Sequence, residues 1–379
     1  MKNRKAFSRR SFISHSLRAG AWASLLSARS VFGTRDISMT AREGKLSASR
    51  LRSLSLRELS EKKVHHAGGR FWNPFTPHEG RNIWRLLYWK LFSKNKFKSF
   101  YPEERVRPVR VDWRAVRKHA GCSVTFLKHA CVMIKDIDKY LLVDPVFDGL
   151  FWIKDFTPLE FGIKEMPQPD HVLLTHGHFD HMDTDSLSVL KNNIHVITPL
   201  GYGGVFKDLE IKNRTQLDWF DSYRDERLQI MLLPCNHWTM RNPLVGPNRS
   251  LWGSFLIKCK SGINIYIAGD TAYFDRFKEL GEVTPIDLAI FNLGAYEPRW
   301  FMARSHVNPE ETARAFSELN ARHLLIVHWG TFRLGDEPVH FPPRDIALEM
   351  KKRGLLDHLI HLDHGRTLHY DGSGNPSII

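Results

Sequence analysis

The chain has 379 residues, 42% of them hydrophobic and 25% charged, which is the composition of a core-forming globular protein, and no apolar run reaches the roughly 18 residues a spanning helix needs. Its formal net charge of +14 is unevenly placed: residues 1–63 hold 15 Lys/Arg against 4 Asp/Glu (+11), residues 64–118 hold 13 against 4 (+9), and residues 119–379 hold 27 against 33 (−6). A nuclease needs positive charge around its catalytic face to hold phosphodiester backbones, so the acidic balance of the largest portion argues against a nucleic-acid partner.

In chain order, residues 1–33 come first and carry Ser8-Arg9-Arg10-Ser11-Phe12-Ile13, which resembles a twin-arginine export motif, followed by a weakly apolar stretch from Ala19 to Ala28. Small residues at Ser27-Ala28 or at Gly33 fit a cleavage point. Export in the folded state would place the protein in the periplasm or on the periplasmic membrane face, with metals loaded beforehand. The same residues also read as a basic disordered tail, which would leave the protein cytoplasmic and membrane-associated. Residues 34–118 follow as a basic extension. In Arg81 to Phe97, the apolar Ile83, Trp84, Leu87, Tyr88 and Leu91 recur at helical spacing among Arg81, Arg85, Lys90, Lys94 and Lys96. Such a helix either lies in a membrane interface, with its cations on lipid headgroups, or packs on the catalytic domain with those cations solvated.

Residues 119–379 read as a single catalytic domain, since the ligand candidates described below are spread through it. Short apolar runs bounded by turn residues predict strands at 123–127, 131–134, 139–144, 170–175, 194–198, 228–234, 253–259, 263–268, 287–292 and 323–327. Helices are expected at 184–193, 309–321 and 343–353. Asn308 is the expected N-cap of the second, with Pro309 at its first position and Glu310 and Glu311 in its positive first turn, and Pro342 and Pro343 open the third. Cys122, Cys131, Cys235 and Cys259 show no C-x-x-C spacing, and Cys131 and Cys259 sit in strand patterns where a buried thiol is the ordinary reading.

The most informative run is His176-Gly177-His178-Phe179-Asp180-His181, directly after the apolar strand 170–175. Four metal-binding side chains on a short loop at a strand's carboxyl end make a metal cradle. Imidazole with carboxylate suits zinc, and iron or manganese are compatible with the same donors. Later strands end on further candidates: His237 after 228–234, Asp270 after 263–267 and His328 after 324–327. Two neighbouring sites account for them all. His176, His178, His237 and Asp270 would hold one ion, and Asp180, His181, His328 and the same Asp270 the other.

This pattern resembles the metallo-β-lactamase fold, an α/β four-layer αββα sandwich with its metals at one edge. More closely, Leu251-Trp252-Gly253-Ser254, Ala268-Gly269-Asp270-Thr271, Gly294-Ala295-Tyr296-Glu297-Pro298-Arg299-Trp300-Phe301-Met302, His306-Val307-Asn308-Pro309-Glu310-Glu311 and His328-Trp329-Gly330-Thr331-Phe332 look like N-acylphosphatidylethanolamine phospholipase D and its bacterial relatives. The likeness runs from about Val124 to Tyr370. The H-x-H-x-D-H run identifies only the superfamily, whereas the string 294–302 is long and specific. Two departures stand out: Lys128-His129-Ala130 replaces the family's usual Gly-His-Ala, and Ser305 stands before His306 where an amide is usual.

The resemblance implies a zinc-dependent phosphodiesterase of phospholipase D type, hydrolysing N-acylphosphatidylethanolamine-like phospholipids to phosphatidic acid and an N-acylethanolamine. Two zinc ions about 3.5–4 Å apart, with iron or manganese as substitutes, would share an activated hydroxide that attacks phosphorus. Asp270 would then hold both ions and Asp180 one of them. His306 matches the family's H-V-D-P segment and would touch the phosphate, its bland alternative being a buried histidine that caps Asn308. Expected partners are the phospholipid, a membrane surface and, as in the family, a second copy of the chain. A non-lipid ester or lactone on the same metals is the alternative substrate class. An Asp rather than a Cys at the bridging position speaks against a β-lactamase.

Overall fold

The computed structural model describes residues 51, 53–75, 89, 93–226 and 228–379. The export motif and most of the amphipathic segment 81–97 therefore lie outside the described residues. Among the described residues, no helix is long and apolar enough to cross a membrane.

Two sheets face each other. One has eight strands, β3 (Cys122–Lys128), β4 (Cys131–Asp136), β5 (Lys139–Val143), β6 (His171–Leu173), β7 (His195–Pro199), β8 (Arg214–Leu217), β16 (Thr367–Tyr370) and β17 (Pro376–Ile378), in the order β17-β16-β3-β4-β5-β6-β7-β8. The other has seven, β9 (Ser222–Arg224), β10 (Gln229–Leu233), β11 (Ser254–Lys258), β12 (Asn264–Ile267), β13 (Leu288–Asn292), β14 (His323–Val327) and β15 (Leu359–Ile360), in the order β15-β14-β13-β12-β11-β10-β9. Side-chain alternation explains why these runs are apolar throughout rather than on one face only. Val124, Phe126, Val132, Ile134, Leu141, Val143, Leu173 and Ile197 point between the sheets and meet Ile230, Leu232, Ile265, Ile267, Ile290 and Leu325. Their neighbours Leu127, Met133, Leu142, Val172 and Val196 point the other way. There they meet α2 (Trp113–Lys118), α3 (Thr184–Leu190) and α4 (Gly203–Asp208) through Trp113, Val116, Leu187, Leu190 and Phe206. A strand covered on both faces has no reason to alternate with polar residues.

The seven-stranded sheet is covered by α5 (Phe277–Gly281), α7 (Pro309–Leu319) and α8 (Phe341–Lys352), which bury Phe277, Leu280, Ala313, Phe316, Ile346 and Met350. A short turn of helix, α6 (Arg299–Met302), precedes α7. The four layers are thus helix, sheet, sheet, helix, as the resemblance implies. Asn308 caps α7 in a full capping box with Glu311, and Asn320 in the left-handed region ends it one turn's fraction early, at Leu319 instead of residue 321. The last helix starts at Phe341, two residues before the expected 343, because proline is accommodated anywhere in a first turn whose N–H groups lack intrahelical acceptors. Sequence reading passed over β8, β9, β15, β16 and β17, none of which carries a continuous apolar run: β8, β9 and β17 are partly exposed, β15 has two residues and β16 mixes Thr and His with Leu and Tyr.

Before the sandwich, the arm of residues 53–75 forms α1 (Leu56–Glu61), capped by Ser55, and the two-stranded β1 (His66–Ala67) and β2 (Arg70–Phe71). From the amphipathic segment only Trp89 and residues 93–97 are described. Trp89 is buried against Ala295, Trp300 and Phe301, with its Nε1–H donating to Asp336 Oδ2 at 2.8 Å, so this ring packs on the domain.

His364 gives the fold an acid sensitivity. Its Nε2–H donates to the Trp329 carbonyl at 3.0 Å and its ring lies 4.3 Å from Phe126, where burial pushes its pKa down to about 4. Between pH 6.5 and 4 the unfolded chain takes up a proton that the folded one refuses, so stability falls as pH falls through that window. At about 1.4 kcal/mol per pKa unit the limit is about 3 kcal/mol, and the ring's partial exposure reduces it to roughly 1–2 kcal/mol. Urea denaturation of chelator-treated His364→Gln is expected to show an acid loss smaller by that amount than the wild type; parallel curves would refute it.

Candidate metal centre

The cradle is built at the carboxyl ends of parallel strands, where open α/β sheets place their ligands. Strand β6 runs in parallel between β5 and β7 and releases Thr175 to His181 at its end, while the parallel β12, β13 and β14 release Asp270 and His328. His237 follows β10 by way of the buried Cys235 and Asn236.

Two groups of donor atoms converge there, each with its atoms within 4.8 Å of one another: His176, His178, His237 and Asp270, and His129, Asp180, His181 and His328. All seven ligand candidates read from the sequence are brought together. Asp270 stands first among them because it faces both groups. Its Oδ2 lies 3.8 Å from His176 Nε2 and from His237 Nε2 and 3.3 Å from His181 Nε2, and its Oδ1 lies 3.4 Å from His328 Nε2.

His129 is an eighth member that the ligand search on the sequence passed over. It sits in the two-residue turn between β3 and β4 at φ +51°, with Nε2 3.1 Å from Asp180 Oδ2 and its ring 3.9 Å from that of His328. The backbone locks the pair, since the His328 N–H donates to the His129 carbonyl at 2.7 Å. A lone histidine in a tight turn carries no ligand spacing. Lys128 turns from the cleft to an ion pair with Asp155 at 2.6 Å. His129→Ala is expected to retain the metal stoichiometry while hydrolysis drops about 10–100-fold, as for other groups that orient a ligating carboxylate. Metal analysis beside steady-state rates checks this, and unchanged rates would refute it.

Hydrogen bonds from surrounding residues fix His176, His237, His181 and Asp270. The His176 Nδ1–H donates to Thr175 Oγ1 at 3.0 Å, and the His237 Nδ1–H to the Ser305 carbonyl at 3.0 Å, which leaves both Nε2 lone pairs aimed inward. Asp144, buried at the end of β5, accepts from the Thr175 N–H, the Thr175 hydroxyl and His181 Nδ1–H at 2.8, 2.6 and 2.8 Å. Asn292 donates to Asp270 Oδ1 at 2.8 Å. Arg241 clamps the loop from outside, donating to the carbonyls of Gly177 and Met182 with its guanidinium 4.6 Å over Phe179.

The donors fit metal ions on five counts. Nε2 of His178, His181 and His328 are buried without a hydrogen-bond partner. Imidazole nitrogens crowd together, with His178 Nδ1 2.9 Å from His176 Nε2 and 3.2 Å from His237 Nε2, so that two inward lone pairs face one ring nitrogen at a point where a cation would engage all three rings. Burial holds His176 and His237 well below the usual histidine range and His178 at about 4, so these rings are the neutral form that metals bind. Burial alone would raise the carboxyls of Asp180 and Asp270, but the imidazoles around them, His181 foremost, hold both well below the usual range. Two buried carboxylates with, among the described residues, no Lys or Arg ion pair ask for positive charge. Four nitrogen and oxygen donors per group match zinc, and softer sulfur is missing from both sets.

His306 borders both groups without joining either. Its Nδ1 is buried without a partner 3.8 Å from Asp270 Oδ2, and its ring centroid lies 5.5 Å from that of His237 and 5.9 Å from that of His328. Asn308 caps its helix with Glu311 instead, so the capping role considered for His306 is filled elsewhere. The long string 294–302 builds its backing. Arg299 donates to the carbonyls of Tyr296 and His306 and pairs with Glu311 at 2.7 Å, while Gly294 passes so close to His328 that a Cβ there would lie 2.1 Å from its carbonyl oxygen.

A family profile described as "Beta-lactamase superfamily domain" matches residues 139–329, about half of the chain. The chain belongs to that superfamily. Its metal-dependent hydrolase character follows from the family and from the centre just described. The superfamily match begins at Lys139, after the turn that carries His129, and ends one residue beyond His328. An "N-acyl-phosphatidylethanolamine-hydrolyzing phospholipase D 1" from Caenorhabditis elegans is 31% identical over 251 residues, covering 61% of this chain and 70% of that protein. A mitochondrial protein of the same name from Saccharomyces cerevisiae is 31% identical over 277 residues, covering 68% of this chain and only 58% of the yeast protein. Among solved structures, an isothiocyanate hydrolase from Delia radicum gut bacteria aligns with a TM-score of 0.54 at 17% identity, covering 66% of this chain and 99% of that one, which speaks to the fold alone.

Proposed function

We propose that this superfamily hydrolase is a zinc-dependent phosphodiesterase of phospholipase D type, acting on N-acylphosphatidylethanolamine-like phospholipids to give phosphatidic acid and an N-acylethanolamine. The observation that carries this reading is His306, whose buried Nδ1 lacks a hydrogen-bond partner and faces the shared carboxylate from outside both donor groups, where an anionic phosphoryl oxygen would accept its hydrogen bond. The likeness to the C. elegans and S. cerevisiae proteins supports the lipid class.

The groups His176/His178/His237/Asp270 and Asp180/His181/His328/Asp270 would each hold an ion, with His129 steadying Asp180. Bound zinc supplies Lewis acidity and brings the ionisation of water to about pH 7. The chain's own residues do the positioning. Asp144, Thr175 and the Ser305 carbonyl hold three imidazoles in one tautomer, Asn292 orients the shared carboxylate, and Arg299 holds the backbone from which His306 reaches the phosphate. His306 Nδ1–H would donate to a non-bridging oxygen as charge builds on it, an interaction stronger in the transition state than before it.

An anionic membrane surface is the proposed partner, supported by the +20 carried by residues 1–118 and by Trp152, 66% exposed beside Phe151, whose ring packs 5.4 Å from Phe179 of the metal loop. A homodimer and folded-state export to the periplasm belong to the same proposal. The test is purified zinc-loaded protein offered N-acylated phospholipid vesicles, a lactone panel and nitrocefin. Release of N-acylethanolamine supports the proposal. Turnover of lactones with none of the lipid would put the non-lipid ester reading in its place. Vesicle co-sedimentation that survives charge reversal at Arg85, Lys90 and Lys94 would remove the membrane-binding role of that segment.

A further inference from the structure

Away from the catalytic cleft, ligand-type side chains converge where the N-terminal arm meets the sandwich. His65 precedes β1, His66 opens it, and Asp218 follows β8 at the crossover to β9. His65 Nε2 lies 2.6 Å from Asp218 Oδ1, His66 Nε2 lies 2.9 Å from Oδ2, and the two Nε2 atoms are 3.1 Å apart.

We propose that His65, His66 and Asp218 form a further divalent-cation site of the zinc class, which staples the arm to the β8–β9 crossover. Two imidazole nitrogens and a carboxylate facing one point are a zinc donor set, and the edges of a tetrahedral site with bonds of about 2.0–2.1 Å are about 3.3 Å long. The separations of 2.6, 2.9 and 3.1 Å would open toward that length by about 0.7, 0.4 and 0.2 Å as an ion enters. The donors are fixed in advance. His65 is wholly buried and stacks on Trp219 with centroids 4.2 Å apart, and the Trp219 N–H donates to Asp218 Oδ1 at 2.8 Å. Burial also keeps His65 below its usual range, in the neutral form that binds metal. His66 is 35% exposed in its side chain, which leaves the solvent side open for a water as fourth ligand.

Lys63 is the competitor. Its ammonium lies 2.7 Å from Asp218 Oδ2, yet the side chain is 52% exposed and can swing into solvent when a cation replaces it. A staple here has a bearing on the cleft, because Asn73 in the same arm donates to Asn236 Oδ1 at 2.9 Å and to the His237 carbonyl at 2.8 Å. The arm thereby backs one metal-binding loop of the catalytic centre.

The experiment compares zinc bound per chain in the full-length wild type, His66→Gln and Lys63→Ala after equilibration with zinc alone, using elemental analysis. His66 is partly exposed, so the Gln variant tests the site without emptying a core position. The wild type is expected to hold one zinc more per chain than His66→Gln, whatever the occupancy of the catalytic pair, and Lys63→Ala is expected to take up that extra ion several-fold more tightly. Zinc should also slow proteolytic cutting within residues 53–75 in the wild type and not in His66→Gln. Equal zinc counts in wild type and His66→Gln would overturn the assignment, as would a Lys63→Ala protein that binds the extra ion more weakly than the wild type.

Discussion

Asp270→Ala is expected to lower kcat/KM by at least about 10³-fold, equivalent to about 4 kcal/mol of transition-state stabilisation. The reason lies in its two oxygens, one turned to His181, His176 and His237 and the other to His328, so that one truncation strips a ligand from both donor groups. No neighbour can substitute: Asp180 is the other carboxylate of the centre and already faces His129, His181 and His328. The same change leaves Asn292 Nδ2 without its acceptor, a cost of about 1–2 kcal/mol in folding stability that denaturant titration reads separately from the loss of activity. Elemental analysis should show fewer than two catalytic ions per chain. Activity within tenfold of the wild type, on whichever substrate the vesicle and lactone assay identifies, would mean the shared-carboxylate mechanism is wrong.

Asp144→Ala should do comparable damage by another route. Asp144 touches no metal-facing nitrogen, but its carboxylate accepts three hydrogen bonds in a buried position, two from Thr175 and one from His181 Nδ1–H. Removing it leaves those donors unsatisfied, a loss of about 3–5 kcal/mol in stability. It also frees the tautomer and orientation of His181, which should weaken zinc affinity about 10–100-fold. Asp144→Asn keeps one carbonyl oxygen, so it should fall between the alanine variant and the wild type in both measurements. An alanine variant with wild-type stability and wild-type zinc affinity would show that Asp144 neither supports the fold nor orients His181.

These two residues mark the boundary between local and tertiary information. Asp270 was legible because it ends an apolar run in Ala268-Gly269-Asp270-Thr271, downstream of an H-x-H-x-D-H run that already specifies a metal. Asp144 also ends an apolar run, ahead of Pro145, but a carboxylate that serves a ligand instead of a metal has no spacing of its own. His129 was obscure for a related reason, since its proximity to Asp180 and His328 arises from the β3–β4 turn folding onto the end of β14. Arg241 and Asn292 are ordinary polar residues until the loop and the strand they serve are in place.

The two-sheet layering followed from the family resemblance, while the sequence by itself determined ten strands carrying apolar runs, three of the helices and the seven metal-facing side chains. Each of these rests on local chemistry: burial on both faces writes continuous apolar runs, caps write Asn308-Pro309 with Glu311, and metal donors at strand ends write His and Asp after those runs. Tertiary structure alone decided which oxygen of Asp270 faces which imidazole, that His129 steadies Asp180, that Trp89 packs inward, and that His65 and His66 meet Asp218 from 153 and 152 positions away. Such pairings depend on how strands cross between the sheets, and hydrogen bonds a few ångströms long leave no periodic trace in a chain whose partners lie so far apart along it.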